Sequence, residues 1–452
     1  MDCPFVVKWW FMRIMFVSLG CDKNLVDSEM MMGLLAKRGH TFTDDIEEAE
    51  AAVINTCGFI SDAKEESINT ILEMAEYKNK NLRYIIAAGC LAQRYADTFM
   101  DELPEVDAIV GTTAFDQICE TLDRLDKGAK QVTSIENIDR SCRGKEKRII
   151  STPGNYYSYL KIAEGCNKRC TYCAIPYIRG SYRSVPMEEL IAEAEELVDQ
   201  GIKELILVAQ ETTLYGIDLY GKKSLTDLLN KLCEIEGLKW IRILYCYPEE
   251  ITDELIDTIA NQPKICHYLD IPIQHASDDI LRRMGRRTDN KYLREIIGKL
   301  RERIPDIAIR TTVITGFPGE TDEDHQVLLD FIDDMEFERL GCFTYSPEDD
   351  TPAALYDHQV DEDLKAKRRD EVMSLQQEIS LDICNRNIGR ILDALIVGRD
   401  SENGEYIART YMDAPDVDGY IFFESERDLI SGDMVRLKVT GALEYDLIGE
   451  LL

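Results

Sequence analysis

The chain has 452 residues, 45% hydrophobic and 30% charged, with 85 Asp and Glu against 52 Lys and Arg and a formal charge of −33. That length calls for two or three domains, and the composition excludes a disordered or low-complexity chain. The acidic field repels polyanions, so direct nucleic-acid binding is disfavoured, and fourteen unevenly spaced cysteines speak for thiolates in the reducing cytoplasm and against a disulfide framework.

The first residues, MDCPFVVKWWFMRIMFVSLG, are largely apolar, with Lys8 and Arg13. No small-residue cleavage site follows, and the run is too short and interrupted to span a bilayer, so neither leader nor membrane anchor is expected. A start at Met12 or Met15 in place of Met1 leaves IMFVSL as the first strand. Three segments then share one plan: IMFVSLGC, AAVINTCGF and YIIAAGCLA, each a strand-like run ending on a cysteine and followed by a helical pattern. Their cysteines, Cys21, Cys57 and Cys90, are spaced like successive strand, crossover helix and strand units. Parallel strands deliver their C-terminal ends to one edge, so the three thiols should converge there.

Beyond about residue 125 the polar run KGAKQVTSIENIDRSCRGKEKR carries no strand or helix pattern and reads as a linker, with Cys142 a free thiol. From about 152 to 375 six strands (YSYLKIAEG, ELILVAQET, WIRILYCYP, CHYLDIPIQ, IAIRTTVITGFP, RLGCFTYSP) alternate with helices such as MEELIAEAEELVDQG. This pattern predicts a mostly parallel sheet, a partial (β/α)6 barrel with its site at the C-terminal mouth. A helix, KRRDEVMSLQQEISLDICNRNIG, leads into GRILDALIVG, GEYIART, GYIFFES and DMVRLKVTGAL, an all-β module expected to close as a small barrel of the oligonucleotide-binding kind. The expected class is α/β with this all-β tail, divided as 12–127, a linker 128–151, 152–382 and 383–452.

The strongest chemical signal is EGCNKRCTYC, where Cys166, Cys170 and Cys173 stand at C-x3-C-x2-C just after a strand. A four-iron cluster needs four ligands, so three thiolates leave one iron open to an exogenous chelator. S-adenosylmethionine can fill that position through its amino and carboxylate groups, and one electron from the cluster then cleaves it to a carbon radical. A zinc site would want a fourth Cys or His nearby, and CNKRCTYCAIPYIRG holds none. Cys21, Cys57 and Cys90 make a second three-cysteine cluster, against the plainer reading of small buried hydrophobes.

The stretch around Cys166 resembles the radical S-adenosylmethionine superfamily. With SLGCDKNLVDSE, INTCGFI and AGCLAQRY in front, CNKRCTYCAIPYIRGSYRS in the middle and a TRAM-like barrel behind, the chain resembles the methylthiotransferase family over nearly its whole length. DIPIQHASDDILRRMGRR, TTVITGFPGETDEDH and DAPDVDGY resemble the branch that methylthiolates the β-carbon of an aspartate in small-subunit ribosomal protein S-twelve. The resemblance implies two [4Fe-4S] clusters, two uses of S-adenosylmethionine, that basic protein as partner, and an electron donor such as a flavodoxin or ferredoxin. Residues 376–452 hold 16 Asp and Glu against 7 Lys and Arg, which suits a basic protein better than RNA. A transfer RNA methylthiotransferase of the MiaB type would want a basic tail, and a non-catalytic iron–sulfur or RNA-binding protein would not cleave the cofactor.

Weaker candidates sit at predicted strand ends. Tyr172, Gln210, Glu211, Gln274, Arg310 and Gly316 are taken as contacts to S-adenosylmethionine, with Tyr245, His275 and Thr315 beside them. The Gly316-Phe317-Pro318-Gly319 turn either aims backbone amides at the cofactor or is an ordinary strand-to-helix turn. Cys233, Cys246, Cys266, Cys342 and Cys384 lack ligand spacing and read as packing residues. No residue is assigned as the catalytic acid or base.

Overall fold

A computed structural model describes residues 11–142, 147–402 and 404–452. The stretch holding Met1 and Lys8 lies outside the described residues. Two units divide the chain: one runs to Ile150 and takes in Ala174–Ser181, the other comprises Ser151–Cys173 and Tyr182–Leu452.

In the first unit six strands form one parallel sheet: β1 (Arg13–Ser18), β2 (Thr41–Phe42), β3 (Ala51–Thr56), β4 (Tyr84–Gly89), β5 (Ala108–Val110) and β6 (Val132–Ser134), in the order β2-β1-β3-β4-β5-β6. Every residue of β3 is buried, which explains why AAVINT is continuously apolar up to its last two residues: helices cover both faces. The strand β6 corrects the sequence reading of 128–151, which expected no strand there. Three residues are too few to show alternation, yet Val132 and Ser134 are buried and the segment pairs with β5.

In the second unit β7 (Tyr157–Lys161) is followed by the short ribbon β8 (Ala163–Glu164) and β9 (Arg183–Ser184). Then come β10 (Glu204–Val208), β11 (Trp240–Ile243), β12 (Ile265–Asp270), β13 (Ala308–Thr315) and β14 (Arg339–Thr344). The sheet order β14-β13-β12-β11-β10-β7 follows the chain, all neighbours are parallel, and the sheet stays open, as a partial barrel requires. Crossover helices are set by local signals: Thr321 caps the helix Asp322–Met335 in a reciprocal capping box with Asp324.

A 25-residue helix, Glu362–Arg386, leads to β15 (Ile391–Arg399), β16 (Tyr406–Thr410), β17 (Ile421–Phe423), β18 (Met434–Ala442) and β19 (Leu447–Leu451), which close into a barrel in the order β15-β16-β17-β19-β18. The fifth strand escaped the sequence reading because LIGEL alternates weakly and only Leu447 is buried.

The barrel is fastened to the six-stranded sheet by buried charge. Glu204, fully buried at the start of β10, accepts from Arg242 Nε at 2.8 Å and from Arg409 at 2.6 Å. Arg339 pairs with Asp413 at 2.5 Å, Tyr157 donates to Asp416 at 2.9 Å, and Tyr268 donates to Asp418 at 2.7 Å. All three acids of DAPDVDGY therefore serve internal contacts, so any acidic docking surface of the barrel must be built from its other carboxylates.

Candidate metal centres and cofactor site

Register brings the first cysteine trio together. Thr56 and Gly89 are paired across β3 and β4, and Ser18 pairs with Asn55 across β1 and β3, so Cys57 and Cys90 leave the sheet side by side with Cys21 close behind. Cys21 is the residue preceding the helix Asp22–Lys37, and Cys90 opens the helix Cys90–Arg94. Gly20 has φ +85°, and a Cβ there would stand 2.7 Å from Cys57 Cβ and 2.9 Å from its sulfur. Glycine is required both for the left-handed backbone and for the approach of Cys57.

Amide side chains lock the strand ends. Asn24 donates to the carbonyls of Leu19 and Thr56 at 2.9 and 3.1 Å, and the Asn24 Oδ1 lies 3.6 Å from Cys90 Sγ. The Arg179 guanidinium, 1% exposed, reaches Asn24 Oδ1 at 2.5 Å and Asp27 at 2.9 Å. Ser67 receives the Cys57 N–H at 3.0 Å. Burial, reinforced by the nearby Cys90 and Cys21 sulfurs, pushes the Cys57 thiol up to about 12.

The second trio sits on the loop after β8. Cys166 and Cys170 are buried and Cys173 is partly so. The Lys168 N–H donates to Cys166 Sγ at 3.4 Å, and Tyr247 OH lies 3.7 Å from Cys170 Sγ. Thr171 pins the loop through its N–H to the Met284 carbonyl at 3.0 Å and its hydroxyl to the Arg283 carbonyl at 2.8 Å. Burial raises the Cys166 thiol to about 11, with the neighbouring Cys170 adding to it and the Lys168 N–H opposing. Neither Cys57 nor Cys166 is at ease as a lone thiolate, and a positively charged metal body would supply what burial removes. Among the described residues no three Cys, His, Asp or Glu side chains close around a single ion. The donor sets, three sulfurs each, fit a wider iron–sulfur body with one position left over.

The remaining candidates separate. Tyr172 packs edge-on to Phe317 at 6.5 Å, between Cys170 and Cys173 in the chain. Gln210 donates to Glu164 at 2.9 Å, and its buried Oε1 has no hydrogen-bond partner among the described residues. Glu211 is fully buried, its Oε2 has no hydrogen-bond partner among the described residues but pairs with Lys168 Nζ at 3.9 Å, and burial raises its carboxyl to about 7. Gln274 (φ +71°) bridges to Val313 just beyond β12, and Tyr245 (φ +59°) receives Thr212 N–H at 3.1 Å. These stand at the mouth.

Arg310, the third residue of β13, pairs with Asp270, the last residue of β12, at 3.2 Å and with Asp418 at 3.4 Å. The run IAIRTTVIT is longer than a strand end, and its arginine anchors the barrel. The Gly316 turn is structural: Phe317 N–H donates to Glu320 at 3.0 Å, and a Cβ on Gly316 would meet Lys365 at 2.1 Å. Thr315 hydroxyl donates to the Lys365 carbonyl at 3.3 Å. His275 is fully buried and accepts the Ser277 N–H at 2.9 Å, so it organises its own turn. Cys246, Cys266 and Cys384 are buried and Cys233 and Cys342 partly so. The sequence reading passed over Lys168, Tyr247 and Arg286; each lies inside a stretch that it quoted, where no spacing marked them out.

Family models match three parts of the chain. The model of the radical SAM superfamily matches residues 160–332, that of uncharacterized protein family UPF0004 residues 13–111, and that of the TRAM domain residues 388–452. The ribosomal protein uS12 methylthiotransferase RimO of Lachnoclostridium phytofermentans is 58% identical, covering 97% of this chain and 99% of that one. The RimO of Acetivibrio thermocellus is 50% identical over 97% and 98%, and that of Clostridioides difficile 46% over 98% and 99%. Among solved structures, the radical S-adenosylmethionine methyltransferase TsrM from Kitasatospora setae, with cobalamin and a [4Fe-4S] cluster bound, superposes with a TM-score of 0.55 at 13% identity, covering 76% of this chain and 74% of that one. That likeness bears on the fold alone. Near-full-length identity of this order places the chain in the family of RimO, the radical SAM methylthiotransferases of ribosomal protein uS12.

Proposed function

We propose that this chain adds a methylthio group to the β-carbon of an aspartate in ribosomal protein uS12, using two [4Fe-4S] clusters held by Cys21, Cys57 and Cys90 and by Cys166, Cys170 and Cys173. The observation that carries the reading is the register of β1, β3 and β4, which sets three cysteines at one sheet edge in a chain that already has a C-x3-C-x2-C loop. When bound, the second cluster supplies one electron for cleavage of S-adenosylmethionine, and the first holds sulfur for transfer. Radical chemistry suits the substrate, because no group beside an aspartate β-carbon makes its proton acidic enough for a side-chain base.

The chain's own residues supply position and dryness. Burial of Cys166 and Cys170 keeps water from the reducible site, and the Thr171 hydrogen bonds fix the loop. Tyr172, Gln210, Glu211 and Gln274 line the mouth as cofactor contacts. Residues 12–127 act as the sulfur-holding domain, 152–382 as the radical domain and 383–452 as the TRAM barrel, joined by 128–151. A flavodoxin or ferredoxin is the class of electron donor, and the work is done in the cytoplasm, where ribosomes are. Among the described residues no helix is long and apolar enough to cross a membrane.

The test is mass spectrometry of uS12 incubated with reconstituted enzyme, reductant and S-adenosylmethionine. A methylthio increment on one aspartate is expected; modification of transfer RNA in its place would overturn the substrate assignment.

A further inference from the structure

Arg286 lies just after the helix Asp278–Arg283 and is 7% exposed. Its guanidinium stands over the Tyr247 ring, 4.3 Å from the centroid, and one nitrogen donates to the Pro272 carbonyl at 2.9 Å. The other terminal nitrogen and Nε have no hydrogen-bond partner among the described residues, and no carboxylate there pairs with the group. Lys168 approaches the same ring, 5.0 Å from the centroid, but Glu249 and Glu250 neutralise it at 3.2 and 2.5 Å. Both cations stand over the ring of Tyr247, whose hydroxyl is 3.7 Å from Cys170 Sγ.

A buried guanidinium cannot shed its proton, and without a counter-charge its desolvation is uncompensated. The anion that belongs beside it is the body that Cys170 helps to hold: three thiolates on a four-iron cluster leave a net negative charge, which grows on reduction. We propose that Arg286, acting through Tyr247, is the counter-charge of the cluster at Cys166, Cys170 and Cys173 and raises its reduction potential. This rests on the cluster assignment made above. Once Cys170 is a ligand its sulfur carries no proton, so the Tyr247 hydroxyl is the donor. A cation on the ring face draws electron density from the phenol and strengthens that donor. Net charge and hydrogen bonds to sulfur are what set such potentials. Arg286 is thus a positioning residue that makes the electron transfer accessible to a cellular reductant.

The experiment is a potentiometric titration followed by electron paramagnetic resonance, without S-adenosylmethionine. It uses the full-length chain carrying Cys21→Ala, Cys57→Ala and Cys90→Ala, so that one cluster reports. Arg286→Gln and Tyr247→Phe should each move the midpoint to more negative potential at unchanged iron content. Arg286→Lys should keep most of the wild-type value, and Arg286→Gln with Tyr247→Phe should shift it by less than the two single changes added. An unmoved midpoint in either Arg286→Gln or Tyr247→Phe overturns the proposal, as does an Arg286→Lys shift equal to that of Arg286→Gln. A loss of cofactor affinity in Arg286→Gln with the midpoint unchanged would make Arg286 a cofactor contact and overturn it equally. If Arg286→Gln does not fold, Tyr247→Phe decides. A parent chain with no cluster signal would overturn the cluster assignment itself.

Discussion

Asn55 and Asn24 are hydrogen-bonded across the base of the first cysteine trio: Asn55 Nδ2 donates to the Asn24 main-chain carbonyl at 2.7 Å, and Asn24 donates back to the carbonyl of Thr56, the next residue, at 3.1 Å. Asn55 is 1% exposed and also donates to Ser28 Oγ at 3.0 Å. Replacing Asn55 by Ala takes this donor from the buried Asn24 carbonyl, while Ser28 keeps its bond to Ser18, at a cost of about 1–3 kcal/mol. Urea unfolding should show that loss. An Asn55→Ala protein as stable as the parent would mean that the amide lattice does not hold the strand ends.

Gly20 makes a sharper test, because its substitution acts on the cysteine cradle and leaves the rest of the sheet alone. Gly20→Ala needs a left-handed alanine, costing about 1–2 kcal/mol, and pushes its Cβ onto Cys57. Iron bound at the N-terminal trio should fall while the C-x3-C-x2-C cluster persists, which the iron content of the purified variant would reveal. Full iron content would show that Cys57 can retreat and still ligate.

The two trios should fail differently. Cys170→Ala is expected to abolish 5′-deoxyadenosine formation, and Cys57→Ala to keep it while losing methylthio transfer to uS12; chromatography and mass spectrometry read both. Methylthio transfer by Cys57→Ala would overturn the assignment of a cluster to Cys21, Cys57 and Cys90.

What could be read in advance follows from which features are local. Strand ends bearing Cys21, Cys57 and Cys90 are periodic apolar runs, and their convergence follows from parallel pairing alone. The loop with Cys166, Cys170 and Cys173 announces itself by spacing. Arg310 and the acids of DAPDVDGY were harder, because an arginine in a strand says nothing of which end of the barrel its partner comes from, and Asp418 is over a hundred residues away in the chain. The Gly316 turn was undecidable for a similar reason: its amides meet Glu320 nearby, but its need for glycine comes from Lys365 on a helix far along the chain. Arg286 and Tyr247 meet only in three dimensions.

The buried Glu204 should shape the acid stability of the enzyme. Burial pushes its carboxyl up, but Arg409 and Arg242 outweigh burial and hold it below the usual carboxylate range. A depressed folded value means that the unfolded chain takes up the proton first, so this contribution is present above the ordinary carboxylate range and is lost as pH falls through the folded value. Glu204→Gln leaves two buried guanidinium groups without their carboxylate and should cost about 3–5 kcal/mol at neutral pH. Denaturant melts at several pH values should show the gap to wild type narrowing in acid; a gap constant with pH would mean that Glu204 is not charged in the fold.

Two incomplete sets of sulfur ligands are proposed, each to close around its own cluster. Anaerobic reconstitution with iron and sulfide, followed by iron quantitation and Mössbauer spectroscopy, measures this directly: the expected content is about eight irons per chain, in two [4Fe-4S] clusters. Saturation near four irons, in a chain with all six cysteines intact, would contradict it.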